Sequence, residues 1–219
     1  MTHSTSLITK VDLREQFSNI RDQHSRPLCL AFASSDLNSY VNGLKHALSV
    51  EYLSYYAYKD FSNNNFDSGL TIQAVSSVLF NRGQPEESEL PYQISNQEPS
   101  EPPHYDFEEK IYSSGQEKAL TPDEIVQNLN SGVPVIVGVE LSHTFFNPKP
   151  PYLINYEDGN FGGHALIIIG YGECDKGENY FLIRNSWGPQ WADAGYAWLS
   201  ADYISRKSIT FMELNKKCT

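Results

Sequence analysis

Residues 180–199, "YFLIRNSWGPQWADAGYAWL", set two short apolar runs around a stretch rich in Asn, Gly, Pro and Asp. β-branched and aromatic runs bounded by turn-forming residues read as strands. Toward the N-terminus the same texture continues in "GGHALIIIGYG" (162–172) and "VPVIVGVEL" (133–141). From Gly132 onward the chain is therefore expected to build an antiparallel sheet or barrel.

Before Gly132 the period changes. Residues 29–41 place Ala33, Leu37, Tyr40 and Val41 on one helical face, with Pro27 suited to the first turn and Gly43 to a stop. "LSVEYLSYYAYKD" (48–60) reads as a second helix opened by Ser49, with Glu51 in its first turn. "TIQAVSSVLFNRG" (71–83) reads as a third, capped by Thr71 and ended by Gly83. "TPDE" (121–124) has the capping-box pattern with Pro at the first helical position, so a fourth helix should run to about Asn130. Residues 61–69, "FSNNNFDSG", are a loop by composition. Residues 84–109, rich in Pro and Glu and including "EPPHY", read as a surface connection or lobe boundary. A helical half followed by a strand-rich half makes the fold class α+β, two lobes meeting at a cleft.

Composition narrows the function. The 219 residues fit one large domain or two small lobes, and 14 Tyr and 11 Phe argue for a packed core over disorder. A net charge of -11 with no basic run speaks against nucleic acid as a partner. No stretch approaches a membrane span or the apolar core of a signal peptide. The three cysteines, Cys29, Cys174 and Cys218, lie far apart with no CxxC pairing. They make a poor disulfide framework and a poor zinc site, and suit a reducing compartment or a protein whose stability does not rest on cross-links. The expected localisation is cytoplasmic, or outside the cell by a route without a cleavable signal peptide.

Cys29 stands at a predicted helix start, where unpaired N–H groups and the helix dipole favour a thiolate. A nucleophilic cysteine also needs a base and a group that orients the base. His164, after Gly162 and Gly163, is the best candidate base, although a histidine satisfied by a nearby carbonyl at a strand start is the commoner occurrence. Asn185 in "RNSW" can orient an imidazole through its amide oxygen, or be an ordinary turn residue. The Cys29 N–H and the Gln23 side-chain amide are candidate oxyanion donors. His24 adjoins Gln23 but has no orienting partner as good as Asn185.

Taken together these blocks resemble the papain-like cysteine peptidases, with a flavour of bacterial and bleomycin-hydrolase-like members. "VDLREQFSNIRDQ" (11–23) is similar to the family's mature N-terminal segment, "CLAFASS" (29–35) to its nucleophile helix, and Gln23 precedes Cys29 by the family's six positions. "LSVEYLSYYA" and "GQPEESELPY" are similar to stretches of the same relatives, and 162–172 and 180–199 to the histidine and asparagine blocks. His164 follows Cys29 by about 130–150 residues, the spacing of this family.

The resemblance implies a single papain-like catalytic unit over 1–219. A helical lobe would span about 14–115, and a β-rich lobe about 116–219 plus the N-terminal segment 1–13. It implies peptide-bond hydrolysis through a thioester, with Cys29 as nucleophile, His164 as base and acid, Asn185 as orienter and Gln23 as oxyanion donor. Trp187 would cover the Asn185–His164 contact and line the leaving-group side. Gly69 and Gly163 would border an extended substrate. The implied partners are a peptide or protein substrate and a separate inhibitor or propeptide, with no metal or organic cofactor, no membrane, and a monomeric state. Acyl transfer by the same residues in a deamidase, transglutaminase-like enzyme or isopeptidase is the alternative, as is a silent binding protein of this fold.

Departures from the family pattern cluster at the nucleophile. "CGSCW" is replaced by "RPLCL" (26–30), so Arg26 stands where a disulfide-forming cysteine is usual and Leu30 where a tryptophan is usual. Pro27 and Leu28 replace small residues beside the thiol, and Gly163 replaces an Asp or Asn before the histidine. Cys174, in a turn, and Cys218, in a tail, read as bystanders. The acidic stretch 86–109 reads as a solvated face.

Overall fold

The computed structural model describes residues 7–61, 65–95, 98–103, 107, 109–175 and 177–217. Part of the Asn-rich loop, part of "EPPHY" and Cys218 lie outside the described residues.

In chain order the elements are β1 (Leu7–Asp12), α1 (Cys29–Val41), α2 (Val50–Phe61), α3 (Ile72–Asn81), β2 (Ser113–Lys118), α4 (Pro122–Asn130) and β3 (Val135–Glu140). They continue with α5 (His143–Phe146), β4 (Leu153–Ile154), β5 (Gly163–Cys174), β6 (Asn179–Arg184), β7 (Tyr196–Ser200), α6 (Ala201–Lys207) and β8 (Ser208–Lys216). The strands form one sheet in the order β2-β8-β3-β5-β6-β7-β4, and β1 pairs with β5 off that path. Every pairing is antiparallel except β4 with β7.

The helix ends follow from local chemistry. Thr71 accepts from the Ala74 N–H at 3.2 Å and opens α3. Ser49 does the same for the Tyr52 N–H at 3.1 Å in α2. Thr121 and Glu124 make the reciprocal capping box of α4, with Pro122 at its first position. At α1 the cap is Leu28, and Pro27 lies one residue outside the helix instead of in its first turn. Leu28 offers only its carbonyl, to the Phe32 N–H at 3.0 Å. Gly43, at φ +73°, turns the chain away beyond α1.

α1 is more deeply buried than one apolar face predicts. All of Leu30 to Ser39 is buried, because the helix is packed on one side by α2 and α3 and on the other by β5 and β8. Its polar side chains must therefore find partners inside. Ser35 donates to the Leu48 carbonyl at 2.8 Å, and Asn38 to Gln84 Oε1 at 3.1 Å. Asp36 accepts from Arg21 at 2.5 Å and from Arg184 of β6 at 2.8 Å, which ties the helix to the sheet.

Residues 84–109 are irregular, as expected, yet partly interior. Gln84 is fully buried and exchanges backbone hydrogen bonds with Ile111. Cys174 ends β5, buried opposite Leu7, and is not a turn residue.

Candidate active site

Proline disfavours a helical conformation for the residue before it, so Pro27 keeps α1 from extending back through Arg26. The first helical residue is Cys29, a free and half-buried cysteine. Facing it is the start of β5. His164 pairs with Val139 of β3, and Gly162, at φ +118°, turns the chain into the strand after accepting from the Leu141 N–H at 2.8 Å. Cys29, Gly69, Gly163, His164 and Ala165 line one cavity of about 440 Å³. The rest of its wall is largely apolar, with Leu30, Leu70, Ile136, Ile209 and Met212.

His164 Nε2 lies 2.7 Å from Asn185 Oδ1, both side chains buried. The contact fixes the ring so that Nδ1 is turned away from Asn185. The Trp187 ring closes over it, with its centroid 4.8 Å from the imidazole. Phe145, fully buried, packs edge-on to both rings at 6.0 and 5.4 Å. The segment after β6 also holds the oxyanion candidate. Gln23 N–H donates to the Ser186 carbonyl at 2.8 Å, and the Ser186 hydroxyl donates to Gln23 Oε1 at 2.7 Å. Gln23 Nε2 donates to the Arg26 carbonyl at 2.9 Å, so the amide is clamped from both ends. Gly188 beside this clamp lies at φ +78°, a left-handed conformation that favours glycine, and its N–H donates to the Arg21 carbonyl at 3.1 Å.

Electrostatics correct one expectation. Burial pushes the Cys29 thiol above its ordinary value, against the backbone N–H groups of Ala165, Leu30 and Cys29 itself. The helix start therefore does not by itself make a thiolate, since desolvation outweighs it. Burial likewise pushes His164 down to about 4, with the Asn185 contact offsetting part of the effect.

All seven residues singled out in the sequence are accounted for. Cys29, His164, Gly69 and Gly163 share the cavity, Asn185 and Trp187 hold the imidazole, and Gln23 is joined to them through Ser186. A Cβ at Gly69 would meet nothing within 4 Å, so that position does not require glycine for space. His24 is exposed, at φ +50°, and turned toward Asp22.

Residues not foreseen are Ser186, Phe145 and Glu51. Ser186 adjoins Asn185 and was within reach of the motif, whereas the other two arrive from distant elements. Arg26 and Glu51 are both buried and pair at 2.8 Å. Arg26 also donates to the Gln93 carbonyl at 3.0 Å, and Glu51 accepts from the N–H groups of Ser100 and Gln93 at 2.6 and 3.3 Å. An ionic hub thus occupies the position where the sequence departs from the pattern of the family it resembles. Among the described residues no cluster of His, Cys, Asp or Glu is arranged to hold a metal ion, and no helix is long and apolar enough to cross a membrane.

Comparison with known proteins places this geometry. A family model described as papain family cysteine protease matches residues 7–213. The protein named "Probable cysteine protease RDL6" from Arabidopsis thaliana is 31% identical over 206 residues, covering 91% of this chain and 57% of its own. Cathepsin J from Mus musculus is 30% identical over 213 residues, covering 90% and 62%. The chain thus spans about three-fifths of the length of these relatives. Among solved structures, xylellain, a cysteine protease from Xylella fastidiosa, superposes with a TM-score of 0.81 at 22% identity, over 97% of this chain and 88% of that one. Bromelain from Ananas comosus, solved with the E64 inhibitor, gives 0.76 at 19% identity, over 94% and 98%.

Proposed function

The chain belongs to the papain family of cysteine proteases, and from that premise we propose that it hydrolyses peptide bonds through a thioester on Cys29. The observation that carries the proposal is the shared cavity of Cys29 and His164, with the imidazole held at 2.7 Å by Asn185. Neither group favours its charge alone in this buried setting. Moving the thiol proton to the imidazole creates two opposite charges whose attraction offsets the desolvation of each.

The thiolate attacks the carbonyl carbon, and the oxygen takes up negative charge. The Cys29 N–H and the second Nε2 hydrogen of Gln23 are the donors to that oxyanion. His164 then gives its proton to the departing amine, leaving a thioester. Water, losing a proton to His164, attacks the thioester and restores the thiol. Asn185 accepts from the ring throughout, while Trp187 screens that contact from solvent. Gly163 and Gly69 border the cavity edge where an extended peptide would lie. A separate inhibitor or propeptide as partner is supported by relatives solved as proforms, among them a ragweed pollen protease and procathepsin L 3 of Tenebrio molitor.

A thiol-directed epoxide or vinyl sulfone tests the assignment. Labelling should occur at one site, vanish in Cys29→Ala, and slow by at least about tenfold in His164→Ala. Equal labelling of the intact protein and Cys29→Ala would overturn the nucleophile.

A further inference from the structure

Gln23 belongs to no helix or strand, yet its N–H, its carbonyl and both ends of its side-chain amide are partnered. Ser186 holds the N–H and Oε1, and Nε2 gives one hydrogen to the Arg26 carbonyl. The Gln23 carbonyl accepts from the Tyr92 hydroxyl at 2.7 Å. The N–H of the same peptide, that of His24, donates to Asp22 Oδ1 at 2.8 Å. This peptide leads into the left-handed conformation of His24, at φ +50°, which a residue with a Cβ adopts only under constraint from its surroundings. The Tyr92 contact therefore fixes the backbone of Gln23 where the loop turns most sharply.

Tyr92 is itself anchored by other elements. Its N–H donates to Glu87 Oε1 at 2.8 Å, and the other oxygen of Glu87 accepts from the Val50 N–H at the start of α2, at 3.3 Å. The Arg26 guanidinium stands over the Tyr92 ring, 4.8 Å from its centroid. Phe32 of α1 meets the ring edge-on at 4.9 Å. The phenol is thus placed by α1, by α2 and by the Arg26–Glu51 ion pair. Burial pushes its pKa up to about 12 against the nearby Arg26 charge, so the hydroxyl stays a donor at neutral pH.

An oxyanion donor is effective only where its N–H points at the place the charge develops, and a misplacement of about 1 Å costs up to about a hundredfold in rate. The Gln23 amide is planar, so the aim of its second Nε2 hydrogen follows from its contacts to Ser186 and Arg26 and from the backbone that carries it. We infer that Tyr92 is a positioning residue for the reaction, its hydroxyl holding the Gln23 backbone so that the side-chain amide meets the oxyanion. The inference rests on the thioester reading above, with Gln23 as donor.

Tyr92→Phe keeps the ring against Arg26 and Phe32 and removes only the hydroxyl. Acylation is read as the p-nitrophenol burst from a peptide p-nitrophenyl ester, in which the Cys29 sulfur bonds to the carbonyl carbon and p-nitrophenolate leaves. Its rate at saturating ester should fall about tenfold, while the half-saturating ester concentration moves by less than about twofold. Alkylation by iodoacetamide, in which the sulfur displaces iodide and no oxyanion forms, should slow by less than about twofold. In a Gln23→Ala background, where the amide is gone, Tyr92→Phe should leave the burst rate unaltered. A similar loss in both backgrounds, or equal slowing of acylation and alkylation, would make Tyr92 a general support of the fold and overturn the inference. An unchanged burst rate in the Tyr92→Phe protein would overturn it as well, leaving the thioester standing. Iodoacetamide labelling of Cys29 with no acyl-enzyme in the unaltered protein would sink both readings.

Discussion

In the proposed reaction His164 takes up and releases a proton in a place where charge is disfavoured. Replacing its partner isolates the effect of that burial. In Cys29→Ala the imidazole titrates alone, and the prediction is a midpoint near 4 by NMR of the ring protons. The folded value lies below the ordinary 6.5, so the unfolded chain binds more protons between the two. Stability in this variant should hold above pH 6.5 and decline as pH falls toward 4, by about 3 kcal/mol in all from this group. The further change His164→Gln should remove that part of the acid sensitivity. A midpoint at 6.5 or higher would mean the ring is hydrated and not enclosed by Trp187 and Phe145. The same enclosure was only half legible in the sequence. Trp187 stands two residues past Asn185 and comes with the motif, whereas Phe145 is one apolar residue in a four-residue helix, with no local mark of its destination.

The elements divide along the same line. Helices α1 to α4 were readable because caps, glycines and apolar periodicity are local properties, written within a few residues of each boundary. β2, with the sequence SSGQEK, has no apolar alternation and gains its strand conformation from hydrogen bonds to β8 across the fold. β8 itself sits between β2 and β3, far from both in sequence, and no pattern in the tail announces that insertion. The Arg26–Glu51 contact is a third case, since Arg26 reads only as a departure at the nucleophile and Glu51 only as a first-turn acid, and nothing local pairs them until α1 and α2 pack. Arg26→Met leaves the Glu51 carboxylate buried beside two backbone N–H groups with no counter-charge. It should cost about 3–5 kcal/mol, read as a lower urea midpoint. Adding Glu51→Gln restores neutrality and should recover part of that loss. If the double variant is as unstable as the sum of its single changes, the two charges do not act as a pair.

At the scale of the whole molecule, the helices and the sheet are held in register by Asp36, reached from one side by Arg21 and from the other by Arg184. Burial raises its carboxyl pKa, but the two guanidinium groups outweigh that and hold it below the usual range. Asp36→Ala would strand Arg184, which is 2% exposed, inside the protein. The expected result is a loss of about 3–5 kcal/mol, with tryptophan fluorescence and far-ultraviolet circular dichroism still changing together. An unaltered midpoint would show that the two halves are joined by apolar packing alone. The ionic hub beside Cys29 has one more consequence. A sulfur that works only as thiol or thiolate is lost on oxidation, and millimolar glutathione or dithiothreitol protects it. Where a covalent sulfur–sulfur tie braces such a site, that protection also threatens the scaffold. Here the brace is a guanidinium on a carboxylate, so reductants that would preserve the proposed nucleophile leave this ion pair untouched.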